Sequence, residues 1–495
     1  MEMLGVQGGD HRTQETGLPE DAHLTDLPDV CLVGIMEFLS LQDRYYLSQT
    51  CHLFHELFSH SSLWKVAHIS LYPIGASGKN RMQWKLTSMM NQTMIEIVKR
   101  YSHLFQHLSL QMPGFVQKFD ETSVQLLKDL NEECRLESLT LALGDITSKD
   151  VNIQRMASVY SNVKDIPLIV GLIRNAMRLK QLNLISWPLH KEFTDTADIF
   201  KAMSDNQKLQ YLESFNFFFL SKRDGAWTER MPQLPSCETT VKVVSHLWNL
   251  QHLSLRSPML SDDLLVNLGS KHRNKLKTLQ ILVMFSKDSF YQEGIKIPEL
   301  SSSSWAALRV ASPLLKVECF ITTRVPEAEV NSMLNTEMPL SSLIILNYGR
   351  CDSGVIHSLA DKFKSTLSKF ISLCDSSNCD DSLTYLVEQC SQLRHLSYHG
   401  DISHLTIANL SKIIKDKNMD MVCFEFKEKN VKTDDYDELT NDDDNDLAVA
   451  QDKDTQELYV VGMRRWHEDS TERERKLDSV SIKVSENLKC SWRPL

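Results

Sequence analysis

The chain has 495 residues, of which 42% are hydrophobic and 24% charged, and its formal net charge is -11. That length calls for several domains or an elongated array of stacked units, and the lack of any run of roughly 18 or more apolar residues excludes a membrane helix. Eight acidic residues between Asp434 and Asp446 carry most of the charge, and no broadly basic face is left for a phosphate backbone, so nucleic acid is not an expected partner.

The opening residues, Met1 to Asp21, are Gly-rich and acidic without the basic segment and apolar run of a secretory signal, which predicts a cytoplasmic or nuclear location. From His23 to Trp64, apolar residues fall at helical spacing twice over, at Leu27, Val30, Ile35 and Leu39 and again at Leu47, Cys51, Phe54 and Leu57. Asp26 with Pro28 supplies a helix start, Ser40 to Asp43 a break, and Ser61-Ser62 a last turn before Leu63-Trp64, so three short helices are predicted. A unit of about 40 residues is too small for a core of its own and completes its burial against another protein. His55-Glu56 and His60 imitate a metal-binding helix, but the histidines stand five apart, off a common helix face.

Leu27-Pro28, Leu32, Ile35, Leu39, Asp43, Leu47, Cys51, Phe54 and Leu63-Trp64 together resemble an F-box. The resemblance implies docking on a Skp-family adaptor, and through it a link to a cullin scaffold and a RING protein. Carried over residue by residue, it makes Leu27, Pro28, Leu32, Ile35, Leu39, Leu47 and Cys51 the adaptor-binding surface. Thr50 stands where the family has Val and Phe54 where it has Trp, both substitutions that keep a similar role.

Beyond a predicted helix from Trp84 to Tyr101, the pattern LxxLxL starts at Phe105, Leu136, Leu179, Leu250, Leu276, Leu314, Leu340, Leu393 and Met421, with weaker copies at Leu209 and Leu367. From Leu314 the starts at Leu340, Leu367, Leu393 and Met421 are 26, 27, 26 and 28 residues apart, the period of a strand-plus-helix leucine-rich repeat. Helices are predicted between strands at Ser261–Leu268, Asp352–Phe363, Cys379–Gln389 and Ile402–Ile414. The fold class is therefore α/β: a three-helix F-box followed by an irregular leucine-rich-repeat solenoid, parallel strands concave and helices convex. Residues between the leucines alternate to the opposite face, so His252, Ser254, Gln280, His395 and Ser397 are candidates for reading a protein substrate, or else solvated strand positions. Trp227 and Trp305 are either exposed anchors or core residues. The layout is similar to the F-box-only subgroup around F-box only protein 39 and, at Leu260–Leu268 and Ser303–Trp305, to the cryptochrome-binding F-box/leucine-rich-repeat proteins.

The acidic run is predicted to be a solvated loop, followed by strands at Glu457–Val461 and Val480–Val484 that cap the open end of the solenoid. The expected limits are a disordered stretch at 1–22, the F-box at 23–68, a helical linker at 69–104, repeats at 105–430, the acidic loop at 431–456 and the cap at 457–495. The 11 cysteines form no CxxC pair and read as reduced thiols, so no metal and no cofactor is expected. Gly75 to Asn80 lacks the glycine spacing and the Ser or Thr of a phosphate-binding loop, and no nucleophile elbow or dinucleotide fingerprint occurs. The sequence thus predicts a non-catalytic substrate-recognition subunit of a Skp-cullin-F-box ubiquitin ligase, with a non-ligase scaffold or repeat-based binder as the alternative.

Overall fold

The computed structural model describes residues 24–70, 96–112, 121–143, 166–185, 198–217, 235–283 and 297–432, short gaps of one or two residues aside, together with 448–451, 458–461, 481, 484 and 487. It opens with helices α1 (Asp29–Glu37), α2 (Leu41–Ser48) and α3 (His52–Leu57). A single 3-10 turn at Ser61–Trp64 then leads into strand β1 (Val66–Ser70). The sheet therefore begins inside the stretch that the sequence assigns to the helical unit.

Strands β2 (His107–Met112), β3 (Ser138–Leu143), β4 (Gln181–Ile185), β5 (Ser214–Asn216) and β6 (His252–Arg256) follow in order. They continue as β7 (Thr278–Val283), β8 (Lys316–Ile321), β9 (Leu340–Ile345), β10 (Lys369–Ser372) and β11 (His395–Tyr398). After the two-residue β12 (Ile402–Ser403), strand β13 (Cys423–Phe426) closes the row, and β14 (Val431–Lys432) pairs with β12. Among the described residues the main sheet has 12 strands, each hydrogen-bonded in parallel to its predecessor in the row. Parallel neighbours require a crossover, and helices such as Cys237–His246, Asp262–Leu268, Ser302–Ala311, Ser353–Phe363, Asp380–Gln389 and His404–Asp416 provide it. Ser236, Ser261, Ser301 and Ser403 cap four of these, each hydroxyl accepting a first-turn N–H.

The leucine pattern explains the ladder. Leu108, Leu139, Leu182, Phe215, Leu253, Leu279 and Val317 stand opposite one another across β2 to β8, all buried. Burying each such side chain contributes about 1.5–3 kcal/mol, which no isolated repeat could collect.

The sequence pattern is corrected in five places. In β5 the repeat uses Leu212, Phe215 and Phe217, because Leu209 belongs to the preceding 3-10 turn Gln207–Tyr211. Ahead of β8 it is Leu315 that is buried, while Leu314 is 84% exposed. Between β8 and β9 the register slips: Val317 pairs with Leu340 but Glu318 with Ser342, so Ser341 is an extra residue and Cys319 faces Leu343. The Ser341 hydroxyl fills this bulge by donating to the Val317 carbonyl at 3.1 Å. The helix expected from Ile402 starts at His404, because Ile402 and Ser403 pair with β14 instead. Lastly, Ser481 and Val484, expected in a strand, are helical, as is Asn487. Three-residue steps put them on one helix face. Val484 enters the core, and Asn487 Nδ2 donates to Ser411 Oγ at 2.8 Å on the last repeat's helix.

Residues 458–461 do form a strand, paired antiparallel with 448–451. Trp227, residues 84–95 of the predicted linker helix and the acidic run Asp434–Asp446 lie outside the described residues. Among the described residues no helix is long and apolar enough to cross a membrane.

The burial of Leu315 in place of Leu314 makes a paired test. Leu315→Ala should destabilise the chain by about 2–5 kcal/mol and Leu314→Ala by less than about 0.5 kcal/mol. Urea unfolding followed by circular dichroism measures both, and equal losses would refute the assigned register.

Candidate functional site

The three N-terminal helices divide their side chains sharply. Leu32, Val33, Met36, Leu41, Phe54, Leu57, Phe58, Leu63 and Trp64 are buried. Trp64 is the pivot of this small core. Its ring lies flat on Tyr101, centroids 4.0 Å apart and planes 3° from parallel, and Phe58 meets it edge-on at 4.8 Å. The indole N–H donates to the Phe58 carbonyl at 2.8 Å. Because Tyr101 lies between β1 and β2, the stack joins the helical unit to the first turns of the solenoid.

Arg44 is the second fixture. It shares an inward face of α2 with Leu41 and Ser48, at helical spacing. Its Nε donates to the carbonyls of Met36 at 2.8 Å and Leu39 at 3.0 Å, its Nη2 to Glu37 at 2.8 Å, and its Nη1 to Leu63. One guanidinium thus satisfies the open C-terminal carbonyls of α1 and ties them to the Leu63 turn. Burial pulls its pKa below the ordinary guanidinium value, against the opposing charge of Glu37. Nothing in the motif marked Arg44; a charged residue on the apolar spacing of α2 was the available signal.

The outward side is apolar as well. Val30 is 77% and Phe38 93% exposed, with Leu24, Leu27, Ile35 and Tyr46 also open to solvent. Of the residues carried over from the motif, Leu27, Pro28, Ile35 and Cys51 are exposed and Leu39 and Leu47 half-buried. Leu32 is a correction: it is fully buried on the inner face of α1 beside Met36, so it supports the surface and does not line it. Leu24, Val30, Phe38 and Tyr46, which the motif comparison passed over, complete the outward set.

On the sheet, the polar residues between the leucines bond to one another across strands. The Ser254 hydroxyl donates to Gln280 Oε1 at 2.7 Å, and Gln280 Nε2 donates to Glu318 at 2.9 Å. His252 Nδ1 lies 3.2 Å from the Thr278 hydroxyl, and Asn183 donates to Thr140 at 3.1 Å. Ser254 and Ser397 are buried, a second correction to their placement on a reading surface. His395 is half-buried; desolvation, then Lys369 and Arg394, push its pKa down. The candidates form two groups, on β6–β7 and on β11, and the fold does not bring them together. The next row outward, of which sequence reasoning named only Ser397, runs Arg256, Leu282, Phe320, Ile344, Ile371, Ser397. Its middle is apolar, and Phe320, Ile344 and Ile371 remain half-open. Arg256 is buried under the Phe217 ring, 5.0 Å from its centroid, and burial pushes its pKa down to about 9. Trp305 is a core residue, buried in the first turn of its helix.

Burial pushes the thiols of Cys319 and Cys390 up to about 12, which makes them poor nucleophiles. Among the described residues no group of three or more His, Cys, Asp or Glu side chains is arranged to hold a metal ion.

With this geometry in view, residues 24–70 match the F-box-like family. This chain carries an F-box followed by leucine-rich repeats. Similar proteins include F-box/LRR-repeat protein 12 of Mus musculus, 28% identical over 132 residues, which are 26% of this chain and 35% of that protein. F-box/LRR-repeat protein 21 of Ovis aries is 21% identical over 373 residues, 75% of each chain. The match thus spans about a third of the first relative and three quarters of the second. Among solved structures, the TLR13–ssRNA13 complex aligns with 68% of this chain and 42% of its own at 15% identity and a TM-score of 0.28, a superposition too loose to inform the fold.

Removing the Arg44 guanidinium from the F-box should be far more costly than trimming its surface. Arg44→Met leaves buried carbonyls without donors and should cost about 2–4 kcal/mol, whereas Phe38→Ala should cost under about 0.5 kcal/mol. Thermal melting followed by tryptophan fluorescence compares the two; a wild-type melting temperature for Arg44→Met would sink the assignment.

Proposed function

We propose that this chain is the substrate-recognition subunit of a Skp-cullin-F-box ubiquitin ligase, present in the cytoplasm or nucleus. The observation that carries the reading is the F-box surface, where Leu24, Leu27, Val30, Ile35 and Phe38 stand exposed on a unit whose opposite face is already packed. Exposed apolar patches of that density mark a protein interface. The matched relatives, named as F-box/LRR-repeat proteins, support the same role.

In this reading the F-box seats the Skp-family adaptor, the adaptor leads to the cullin and its RING protein, and the repeats hold a protein substrate. The chain needs no catalytic group for this. Ubiquitin transfer from a loaded thioester to a substrate lysine is accelerated by raising the local concentration of the lysine, and a subunit that fixes two partners at a set separation does that by geometry alone. Leu27, Pro28, Ile35 and Cys51, with Leu39 and Leu47 at the margin, are the proposed adaptor contacts, and Val30 and Phe38 join them.

The test is capture of the Skp adaptor and the cullin by the intact chain. The triple variant Leu27→Ala, Ile35→Ala, Phe38→Ala removes exposed side chains, so it should fold normally and lose at least about tenfold in adaptor affinity. Leu405→Ala, exposed on the last repeat, should behave as wild type. If the wild-type chain captures neither partner, or the triple variant captures both as well as wild type does, the ligase reading falls.

A further inference from the structure

The edge of the solenoid at which the strands begin is not uniform in charge. From Lys65 to Lys316 one backbone ladder links the residues just ahead of successive strands: Glu137 N–H donates to the Gln106 carbonyl, Lys180 to Glu137, Glu213 to Lys180, Gln251 to Glu213, Lys277 to Gln251 and Lys316 to Lys277. Its early part is balanced. Lys180 pairs with Glu137 at 2.7 Å, and Glu213 stands on its other side. Past Gln251 the acids stop and cations continue.

Around that turning point the loop 270–277 adds Lys271 and Lys275, and the last turns of helix Cys237–His246 add Lys242, all exposed. No carboxylate among the described residues forms an ion pair with any of them. Two exposed aromatic rings lie ahead of the neighbouring strands β5 and β6: Tyr211 is 51% and Trp248 56% exposed. They belong to adjacent repeats, since Asn249 N–H donates to the Gln210 carbonyl at 3.2 Å.

The surface is held rigid from beneath. Arg273 Nη1 donates to the Val244 carbonyl and Asn267 Oδ1, and Nη2 to the Leu247 carbonyl, all at 2.7–2.9 Å. Asn274 N–H donates to the Trp248 carbonyl and its amide to Asn249 Oδ1, both at 2.9 Å. A loop bearing so many cations would spread by repulsion if it were not pinned; here Arg273 and Asn274 fix it over the neighbouring repeat. Cations and exposed aromatics kept in place at once are what recognition of an acidic, partly apolar chain requires.

We propose that this basic, aromatic edge over β5 to β8 docks a short acidic segment of a partner protein, with the carboxylates set against Lys271, Lys275 and Lys277 and an apolar side chain against Trp248 and Tyr211. Its size favours a peptide over nucleic acid. Three inter-strand steps of about 4.8 Å span roughly 14 Å, the reach of about four extended residues, and Glu213 and Glu137 border it where a phosphate backbone would have to continue. The proposal rests on reading the repeats as the partner-binding part of the chain, and it names the chemical class of the partner.

Fluorescence anisotropy on the full chain tests it, using a labelled peptide of glutamates and leucines, the same peptide with glutamines, and a single-stranded oligonucleotide of equal charge. The glutamate peptide should bind in a salt-sensitive manner and the glutamine peptide should not. Lys271→Glu, Lys275→Glu and Lys277→Glu together should weaken binding by at least about tenfold. Trp248→Ala should weaken it several-fold with little change in salt dependence, and Lys364→Glu with Lys412→Glu, on the helical side, should leave it intact. Equal binding of the glutamine peptide, or indifference to the triple reversal, overturns the proposal. So does tighter binding of the oligonucleotide through the same lysines, or peptide binding that appears only after the acids of Asp434–Asp446 are changed to amides, which would make the chain's own run the occupant. Adaptor capture by the same charge-reversed chain is scored separately: it should be unchanged, so failure at the edge and failure of the ligase reading give different results.

Discussion

Trp64 lying flat on Tyr101 is the contact on which the joint between the F-box and the first strands depends. An F-box of three short helices has a core of about a dozen side chains, too small to hold an orientation by itself. The stacked indole, the edge-on Phe58 ring and the Arg44 guanidinium that joins α1 to the Leu63 turn convert it into the first layer of the solenoid. In the proposed ligase role, a subunit that holds two partners at a fixed separation tolerates little rotation between its two ends. Burying the joint in aromatic contacts adds rigidity that the connecting backbone alone would not give.

From this joint outward the structure is a one-dimensional stack. Each repeat buries its leucines against its neighbours, so a fault in one layer is passed to the next two and not to the whole. The slip between β8 and β9 shows how such a stack absorbs irregularity. Ser341 is skipped in the β8–β9 pairing but stays buried, its hydroxyl donates to the Val317 carbonyl, and the inward row continues with Cys319 opposite Leu343. β8 serves both registers because Leu315, Val317, Cys319 and Ile321 all point inward. Alternation over four successive inward positions lets that strand match the ladder on either side.

Much of this was legible in the residues. The 26- to 28-residue spacing located β10, β11 and β13, and Ser261 located the first turn of the helix that it caps. The errors share a cause. A motif of three apolar residues cannot tell Leu314 from Leu315 or Leu209 from Leu212, because each pair is equally apolar and only the neighbouring strand decides which one faces the core. β1 escaped notice because Val66-Ala67-His68-Ile69-Ser70 follows the last F-box turn without a break, and its pairing with His107–Gln111 is a long-range contact. On the F-box, the motif named residues important to the fold and to the surface alike. Only packing separates Leu32, which is inside, from Ile35, which is outside.

The hydrogen bonds across the concave face bear on where specificity resides. Ser254, Gln280 and Glu318 satisfy one another, so a ligand replacing those bonds would gain little net free energy, since each new bond exchanges for one already made. Polar rows that are internally paired set the stiffness of the sheet better than they read a partner. Recognition free energy must come from groups that the stack leaves unsatisfied. The half-open apolar row of Phe320, Ile344 and Ile371 offers area, and the lysines ahead of β7 and β8 offer charge that no carboxylate among the described residues pairs. Both flank the paired polar row, one on each side, because side chains along a parallel strand repeat every two residues while the strand ends open onto loops. A partner chain crossing from the edge onto the face would meet charge first and apolar surface second, an order that suits long-range steering followed by short-range packing.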